Sequence, residues 1–208
     1  MYVPTHFQEE DLETLEALIR ANSFGALVSV HEGIPIASHL PFLYDRHAGG
    51  SGMLIGHMAR GNPQWRSLAN GQTVLGIFQG PHAYISPAWY SSPGVPTWNY
   101  AVAHVYGKAK LVEEDGALWG ILERLVDFHE SGNLNPWKPE LSPEMRVRLL
   151  GAIVGFEIEV TEIQGKFKLS QNRSREDQRG VVAQLARAGS DSAKALAELM
   201  AANLDRRP

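Results

Sequence analysis

The chain has 208 residues, 44% of them hydrophobic, so it is long enough to bury a sizeable core in one principal domain. Charged residues make up 20% and the formal net charge is -4, which leaves no global basic field for a nucleic-acid backbone or an acidic membrane surface. The absence of cysteine excludes disulfides, thiolate zinc sites and cysteine nucleophiles. No stretch approaches the roughly 18 apolar residues of a membrane span, and no basic stretch precedes an apolar run at the start, so we expect a cytoplasmic protein.

The first half of the chain predicts one helix and a series of strands. Acidic residues precede apolar positions at helical spacing over 9–19, which is typical of an amphipathic helix. Strand-forming stretches then alternate with turns over 31–33, 47–52 and 79–82. The predicted strands are 24–30, 34–44, 53–58, 73–78 and 83–86. Asn62 and Pro63 predict the N-cap and the first residue of a short helix that ends near residue 68.

The second half predicts two long strands and several helices. A proline-rich and aromatic loop over 87–96 precedes the first of these strands, and such loops often line binding sites. The predicted strands are 100–112 and 154–163, and the predicted helices are 118–126, a short one opened by Ser142 and Pro143, 175–187 and 190–204.

This order of elements predicts a mostly β protein of the α+β type. Neighbouring hairpins with helices at the start, middle and end favour an antiparallel barrel or sandwich with helices packed outside, and argue against a doubly wound parallel sheet. The sequence contains neither of the common glycine-rich phosphate loops, G-x-G-x-x-G and G-x-x-x-x-G-K-[ST].

Five stretches carry a family signature along nearly the whole chain. They are MYVPTHF (1–7), SHLPF (38–42), GHMARGNPQW (56–65), VPTWNY with HVYG (95–107) and KFKLSQNR (166–173). Together, in this order, they resemble the PaiB family, described as FMN-binding negative transcriptional regulators. The resemblance implies an antiparallel split β-barrel and a homodimer with FMN at its interface. We expect the barrel to cover 1–173, and the helical composition of 174–208 predicts an extension packed on it.

The FMN site that the resemblance implies has to bind a phosphate, a ribityl chain and a flat ring with polar edges. We predict that Arg60 pairs with the phosphate, that amides near Asn62 add donors, and that the backbone of 38–40 meets the ring edge. A cluster containing Lys168 is expected to close over the flavin from the partner subunit. The predicted cofactor-binding residues are Ser38, His39, Leu40, His57, Met58, Ala59, Arg60, Asn62, Trp98, Lys168, Gln171 and Arg173.

Several of these residues also have a plainer interpretation. Arg60 is alternatively a solvated loop cation beside an ordinary helix cap, and His39 a core histidine. Lys168 and its neighbours are alternatively a solvated strand end, and Trp98 a core aromatic residue. The histidines lack the H-x-x-x-H or H-x-E spacing of metal sites, so we predict no metal, and no catalytic residue is identified.

Three functions remain open from the sequence. The first is a regulator of the PaiB type, the second an FMN-dependent oxidoreductase acting on a small molecule, and the third a haem-binding split barrel. DNA is a further candidate partner, because the last 35 residues superficially resemble a helix-turn-helix. Acidic residues interrupt the basic ones there, which favours an alanine-rich packing hairpin over a recognition helix.

Overall fold

The computed structural model describes residues 1–48 and 50–206. Gly49 of the predicted turn over 47–52, and Arg207 and Pro208 of the predicted extension, lie outside the described residues. The described residues form seven strands: β1 (Gln8–Glu9), β2 (Phe24–His31), β3 (Ile34–Asp45), β4 (Met53–Ala59), β5 (Thr73–Ile85), β6 (Thr97–Val112) and β7 (Ile153–Lys168). They also form six α-helices: α1 (Leu12–Ala21), α2 (Trp65–Leu68), α3 (Asp115–Glu130), α4 (Pro143–Gly151), α5 (Arg175–Ala186) and α6 (Asp191–Arg206).

The strands form one sheet in the order β1-β7-β4-β3-β2-β5-β6, and β6 also pairs with β7, which closes a barrel. The pairings of β2, β3 and β4 with their neighbours are antiparallel. The β2–β3 hairpin turns at Glu32 and Gly33, whose φ angles of 49° and 80° are those that a two-residue hairpin turn requires. The predicted mostly β fold, with helices outside an antiparallel split barrel and a helical hairpin at the carboxyl end, is confirmed.

The chain packs into two compact units, and the first of them comprises Ile19–Phe78 and His104–Ile163. Its core contains Phe42, whose ring centroid lies 5.4 Å from that of Phe78 and 5.9 Å from that of Phe156, in edge-to-face contacts. A second cluster joins helix to sheet, because Ile121 and other residues of α3 pack on apolar side chains of β3 and β4. We call the unit of Ile19–Phe78 and His104–Ile163 the window unit, because it contains an opening between β3 and β4.

The second unit comprises Met1–Leu18, Gln79–Ala103 and Gln164–Pro208, and we call it the recess unit. Its two carboxyl-terminal helices, α5 and α6, pack against each other and bury residues such as Val181 and Leu196. The carboxylate of Asp177, on the first turn of α5, accepts hydrogen bonds from the backbone and hydroxyls of Ser91 and Ser92. The division into domains 1–173 and 174–208 stays a prediction.

Two sequence predictions of local structure are wrong. Thr73–Phe78 and Ala83–Ser86 are one strand, β5, because Gly80 is buried in it and not part of a turn. A Cβ atom at Gly80 would lie 2.5 Å from Leu18 Cδ1, so the glycine serves a close approach. Asn62 does not cap a helix, since α2 begins at Trp65 and has four residues.

Candidate functional site

The pairing between β3 and β4 is short, although both strands continue beyond it. In the described part of the chain, β4 pairs with β3 over Phe42–Asp45 only. The residues 34–41 of β3 pair with β2, and His57–Ala59 of β4 pair with β7. Each of these segments therefore has one paired edge and one edge turned toward its diverging neighbour. We call the opening between them the β3–β4 window.

Backbone alternation determines which polar groups face this window. The Phe42 N–H donates to the Ser23 carbonyl on the β2 side at 2.9 Å, so the odd-numbered residues of β3 present their backbone groups to the window. The Arg60 N–H donates to the Ala152 carbonyl beside β7 at 2.8 Å, so the odd-numbered residues of β4 do the same. The residues facing the window are Ala37, His39 and Pro41 on β3 and His57 and Ala59 on β4.

A proline explains why the ladder stops where it does. Phe42 pairs with Gly56, so continuing the register would place Pro41 opposite His57. Proline has no N–H to donate to the His57 carbonyl, and a ladder cannot form its next paired step there. The window therefore begins at Pro41, inside the SHLPF motif.

The window has an apolar wall and a closed far end. Strand alternation places Leu40 and Met58 on the barrel side, where Met58 is buried and Leu40 half-buried. At the far end, Asn62 Nδ2 donates to Ser38 Oγ at 2.7 Å. Asn62 Oδ1 accepts from the Gln64 N–H at 3.0 Å, so this side chain fixes the turn before α2. The structure thus brings seven predicted site residues together around one opening: Ser38, His39, Leu40, His57, Met58, Ala59 and Asn62.

The two predicted histidines contribute in different ways. His39 is exposed and its ring lies 6.3 Å from that of Phe24, so it is not a core histidine. His57 shares a strand face with Ile55, which packs against α3. Burial lowers the pKa of the His57 imidazole, and its Nδ1 has no hydrogen-bond partner among the described residues. The backbone of His57 faces the window, and its imidazole does not.

Arg60 is held in place beside the window. Its guanidinium donates to the carbonyls of Gly151 and Ile153 at 3.2 and 3.1 Å, and to Glu113 Oε1 at 3.1 Å. A guanidinium has five N–H groups, so these described contacts leave two for a further acceptor. Arg60 is therefore an anchored cation that remains able to bind an anion.

The other predicted residues lie in the recess unit, where Lys168 and Trp98 come together. Lys168 Nζ donates to Thr97 Oγ1 and to the Trp98 carbonyl, the latter at 2.6 Å. Burial, and secondarily the neighbouring Lys166 ammonium, lowers the pKa of Lys168. Trp98 is exposed, so it is not a core residue.

Gln171 and Arg173 hold the segment that contains them. Gln171 Oε1 accepts from the Leu169 N–H at 2.7 Å, which stabilises the turn after β7. The Arg173 guanidinium lies 4.4 Å from the centre of the Tyr90 ring and donates to the Pro93 carbonyl at 3.1 Å. Arg173 therefore fastens the aromatic loop over 87–96.

The sequence does not predict Gln64 as a site residue, although its side chain holds the turn at the far end of the window. Its Nε2 is buried and donates to the Leu27 carbonyl at 2.9 Å and to Ser29 Oγ at 3.1 Å. These bonds hold the turn from Arg60 to Trp65 against the β2–β3 hairpin. Nothing in the sequence marks this glutamine as buried, because its partners lie about 35 residues away.

Among the described residues, no group of three or more histidine or acidic side chains is arranged to hold a metal ion. None of the described helices is long and apolar enough to cross a membrane.

Known proteins resemble the chain in sequence and in fold. It is 43% identical over 202 residues to the protease synthase and sporulation protein PAI 2 of Bacillus subtilis, with 96% of each chain covered. Among solved structures, the flavocytochrome Anf3 from Azotobacter vinelandii superposes with a TM-score of 0.63 and 15% identity, covering 86% of this chain and 78% of that one. The FAD and haem binding protein from Mycobacterium smegmatis superposes with a TM-score of 0.62 and 18% identity, covering 83% of this chain and 78% of that one.

A family model described as "Putative FMN-binding domain" matches residues 1–162, which include the whole β3–β4 window. The FMN cofactor predicted from the sequence agrees with this match. The similarity to PAI 2 extends the relationship over nearly the full chain and confirms the resemblance to the PaiB family. The chain therefore belongs to the family of FMN-binding domains that includes the PaiB proteins.

Proposed function

We propose that the chain is a cytoplasmic, homodimeric flavoprotein that takes part in regulation and does not read DNA directly. The β3–β4 window is the observation that carries this proposal. It is an opening with backbone donors and acceptors on both sides, an apolar wall and an anchored cation nearby. FMN, when bound, supplies one- or two-electron transfer, and the protein's residues bind and orient it.

The window suits the polar edge of the isoalloxazine ring. That edge carries an N–H between two carbonyl oxygens, and ring nitrogens that accept hydrogen bonds. His39, His57 and Ala59 offer backbone N–H groups, and His39 and His57 also offer carbonyl oxygens. Leu40 and Met58 would supply the dry surface against the ring. In this arrangement the strand edges, and not side chains, recognise the flavin.

Arg60 is the proposed phosphate partner, and a pair of variants tests it. Arg60→Ala should weaken FMN binding about tenfold or more, because a charge-assisted contact is lost. Glu113→Gln should leave FMN affinity unchanged or raise it, since Glu113 competes with the phosphate for the guanidinium. Quenching of FMN fluorescence measures both affinities. Equal affinity in Arg60→Ala and the parent protein would remove Arg60 from the site.

The homodimer is supported by apolar exposure on the β2–β3 hairpin. Phe24 and Ile34 are 68% and 66% exposed, an arrangement expected for side chains that a second subunit covers. We propose that Gln171 and Arg173 reach the flavin from that second subunit, and the same contact for Lys168 and Trp98 stays a prediction. Light scattering on Phe24→Ser and on the parent protein tests the interface. A monomeric parent protein would refute the dimer, and an unchanged dimer in Phe24→Ser would remove this face from the interface.

The proposed role in regulation is supported by the similarity to the Bacillus subtilis protein named for protease synthase and sporulation. Direct DNA contact is not favoured, because the exposed basic residues in and beside α5 and α6, such as Arg187 and Lys194, alternate with acidic ones such as Asp191. DNA binding measured against salt concentration, together with flavin reduction by NADH, distinguishes the candidates. Sequence-selective binding with a clear salt slope would overturn the indirect role. Rapid turnover with NADH would favour the oxidoreductase, and a Soret band in the purified protein would favour the haem-binding barrel.

A further inference from the structure

A recess of about 310 Å³ opens within the recess unit, and none of its lining residues borders the β3–β4 window. Its lining comes from β5 and β6 and consists of Gln79, His82, Trp98, Tyr100 and Val102. This volume is at the small end of the range of about 300–1,000 Å³ that small-molecule sites occupy. The recess therefore has room for one compact ligand.

Aromatic rings form the walls of the recess. The Trp98 ring centroid lies 6.4 Å from that of His82 at an interplanar angle of 34°, and 6.2 Å from that of Tyr84 in an edge contact. Trp98 nevertheless remains 54% exposed, which is unusual for so large an apolar side chain. A planar ligand stacked on the indole would remove this surface from water in a geometry that aromatic pairs favour.

Two ammonium groups lie next to residues that line the recess. Lys166 Nζ is 5.5 Å from the centre of the Tyr100 ring, and Lys168 Nζ donates to the Trp98 carbonyl. The described hydrogen bonds of both lysines go to neutral oxygens, those of Tyr2, Thr97 and Trp98. Repulsion between the two ammonium groups contributes to the lowered pKa of Lys168. A bound anion would offset this repulsion.

We propose that this recess is a second ligand site and binds a planar aromatic anion, such as an arene carboxylate. The ring would stack on Trp98, and the carboxylate would lie toward Lys166 and Lys168. The amide of Gln79 offers a further polar contact at the wall. The sequence predicts Trp98 and Lys168 as flavin contacts, so FMN is the rival occupant that the experiment has to exclude.

Calorimetric titration with 2-naphthoate and its uncharged analogue 2-naphthamide tests the site, on FMN-free and FMN-saturated protein. We expect naphthoate to bind both forms, and about tenfold more tightly than naphthamide, because charge-assisted contacts distinguish them. Trp98→Ala should weaken naphthoate binding at least about tenfold through loss of the stacked surface. Trp137→Ala is the matched control, since Trp137 is 56% exposed in the window unit.

A lysine variant separates charge from shape. Lys166→Gln should weaken naphthoate binding and leave naphthamide binding unchanged. Circular dichroism checks that both recess variants are folded, since Trp98 is exposed and Lys166 only half-buried. The proposal is overturned if naphthoate does not bind, if FMN saturation abolishes its binding, or if Trp98→Ala and Trp137→Ala bind it equally. FMN affinity in the parent protein is a separate measurement, so failure here leaves the flavin site standing.

Discussion

Replacing Pro41 by alanine should narrow the β3–β4 window. The new residue supplies the N–H that the ladder lacks opposite His57, so β3 and β4 can pair for one step more. The His57 carbonyl, proposed to face the flavin, would then be occupied by the protein itself. We therefore expect Pro41→Ala to bind FMN more weakly without unfolding.

The size of each effect follows from the groups involved. The added backbone hydrogen bond contributes about 0.5–1.5 kcal/mol, and loss of the proline's restriction on the unfolded chain costs about 0.4–1 kcal/mol. These terms offset each other, so the free energy of unfolding should change by less than about 1 kcal/mol. Loss of one acceptor for the flavin, worth about 1 kcal/mol, should weaken FMN binding about fivefold or more.

Three measurements on Pro41→Ala check this reasoning. Flavin fluorescence gives the FMN affinity, urea denaturation gives the stability, and amide exchange shows whether the new N–H is protected. Pro35→Ala is the control, because its partner in the same register would lie beyond Ala59, the end of β4. Pro41→Ala that binds FMN as tightly as Pro35→Ala would refute the proposed role of the window.

Gly56→Ala should destabilise the protein by about 1–3 kcal/mol, because its Cβ would lie 2.7 Å from Phe156 Cζ in a closely packed core. A melting temperature equal to that of the parent protein would contradict this expectation. Gly61→Ala, with nothing within 4 Å, should be neutral or stabilise by up to about 1 kcal/mol in the same assay. The Ser92 hydroxyl, with other donors, lowers the pKa of Asp177 to about 2. That carboxylate therefore stabilises the fold above its ordinary pKa of 3.8 and loses this effect as the pH falls toward 2. In urea denaturation, the free energy of unfolding of Asp177→Asn should be lower than that of the parent protein at pH 7, and the two values should converge as the pH falls below about 4. A difference that stays constant with pH would contradict this role of Asp177.

Most of the fold could be predicted because it depends on local patterns. The helix over 9–19 and the β2–β3 hairpin follow from spacing and turn residues that are visible within a few positions. Gly80 was misinterpreted as a turn because its packing against Leu18 involves residues about 60 positions apart. Asn62 resembles a helix cap, but its side-chain amide donates to Ser38, which lies 24 residues earlier.

The candidate site could be predicted in composition but not in geometry. The motifs containing Ser38 and Arg60 name the strands that border the window. Which backbone edges face each other depends on the register of β3 against β4, and no local pattern fixes that register. Glu113, which shares the Arg60 guanidinium, lies 53 residues away and belongs to none of the recognised motifs.

The open edge of β3 also bears on how the protein avoids aggregation. A strand edge with unpaired N–H and C=O groups is a template on which other chains can add strands. Pro35 and Pro41 each remove one donor from the edge that faces the window, so Ala37 and His39 retain the N–H groups in between. A flavin bound there would cover the remaining donors. FMN-free protein should accordingly aggregate sooner than the flavin-bound form. The ligand would then protect the strand edge from intermolecular pairing as well as carry electrons.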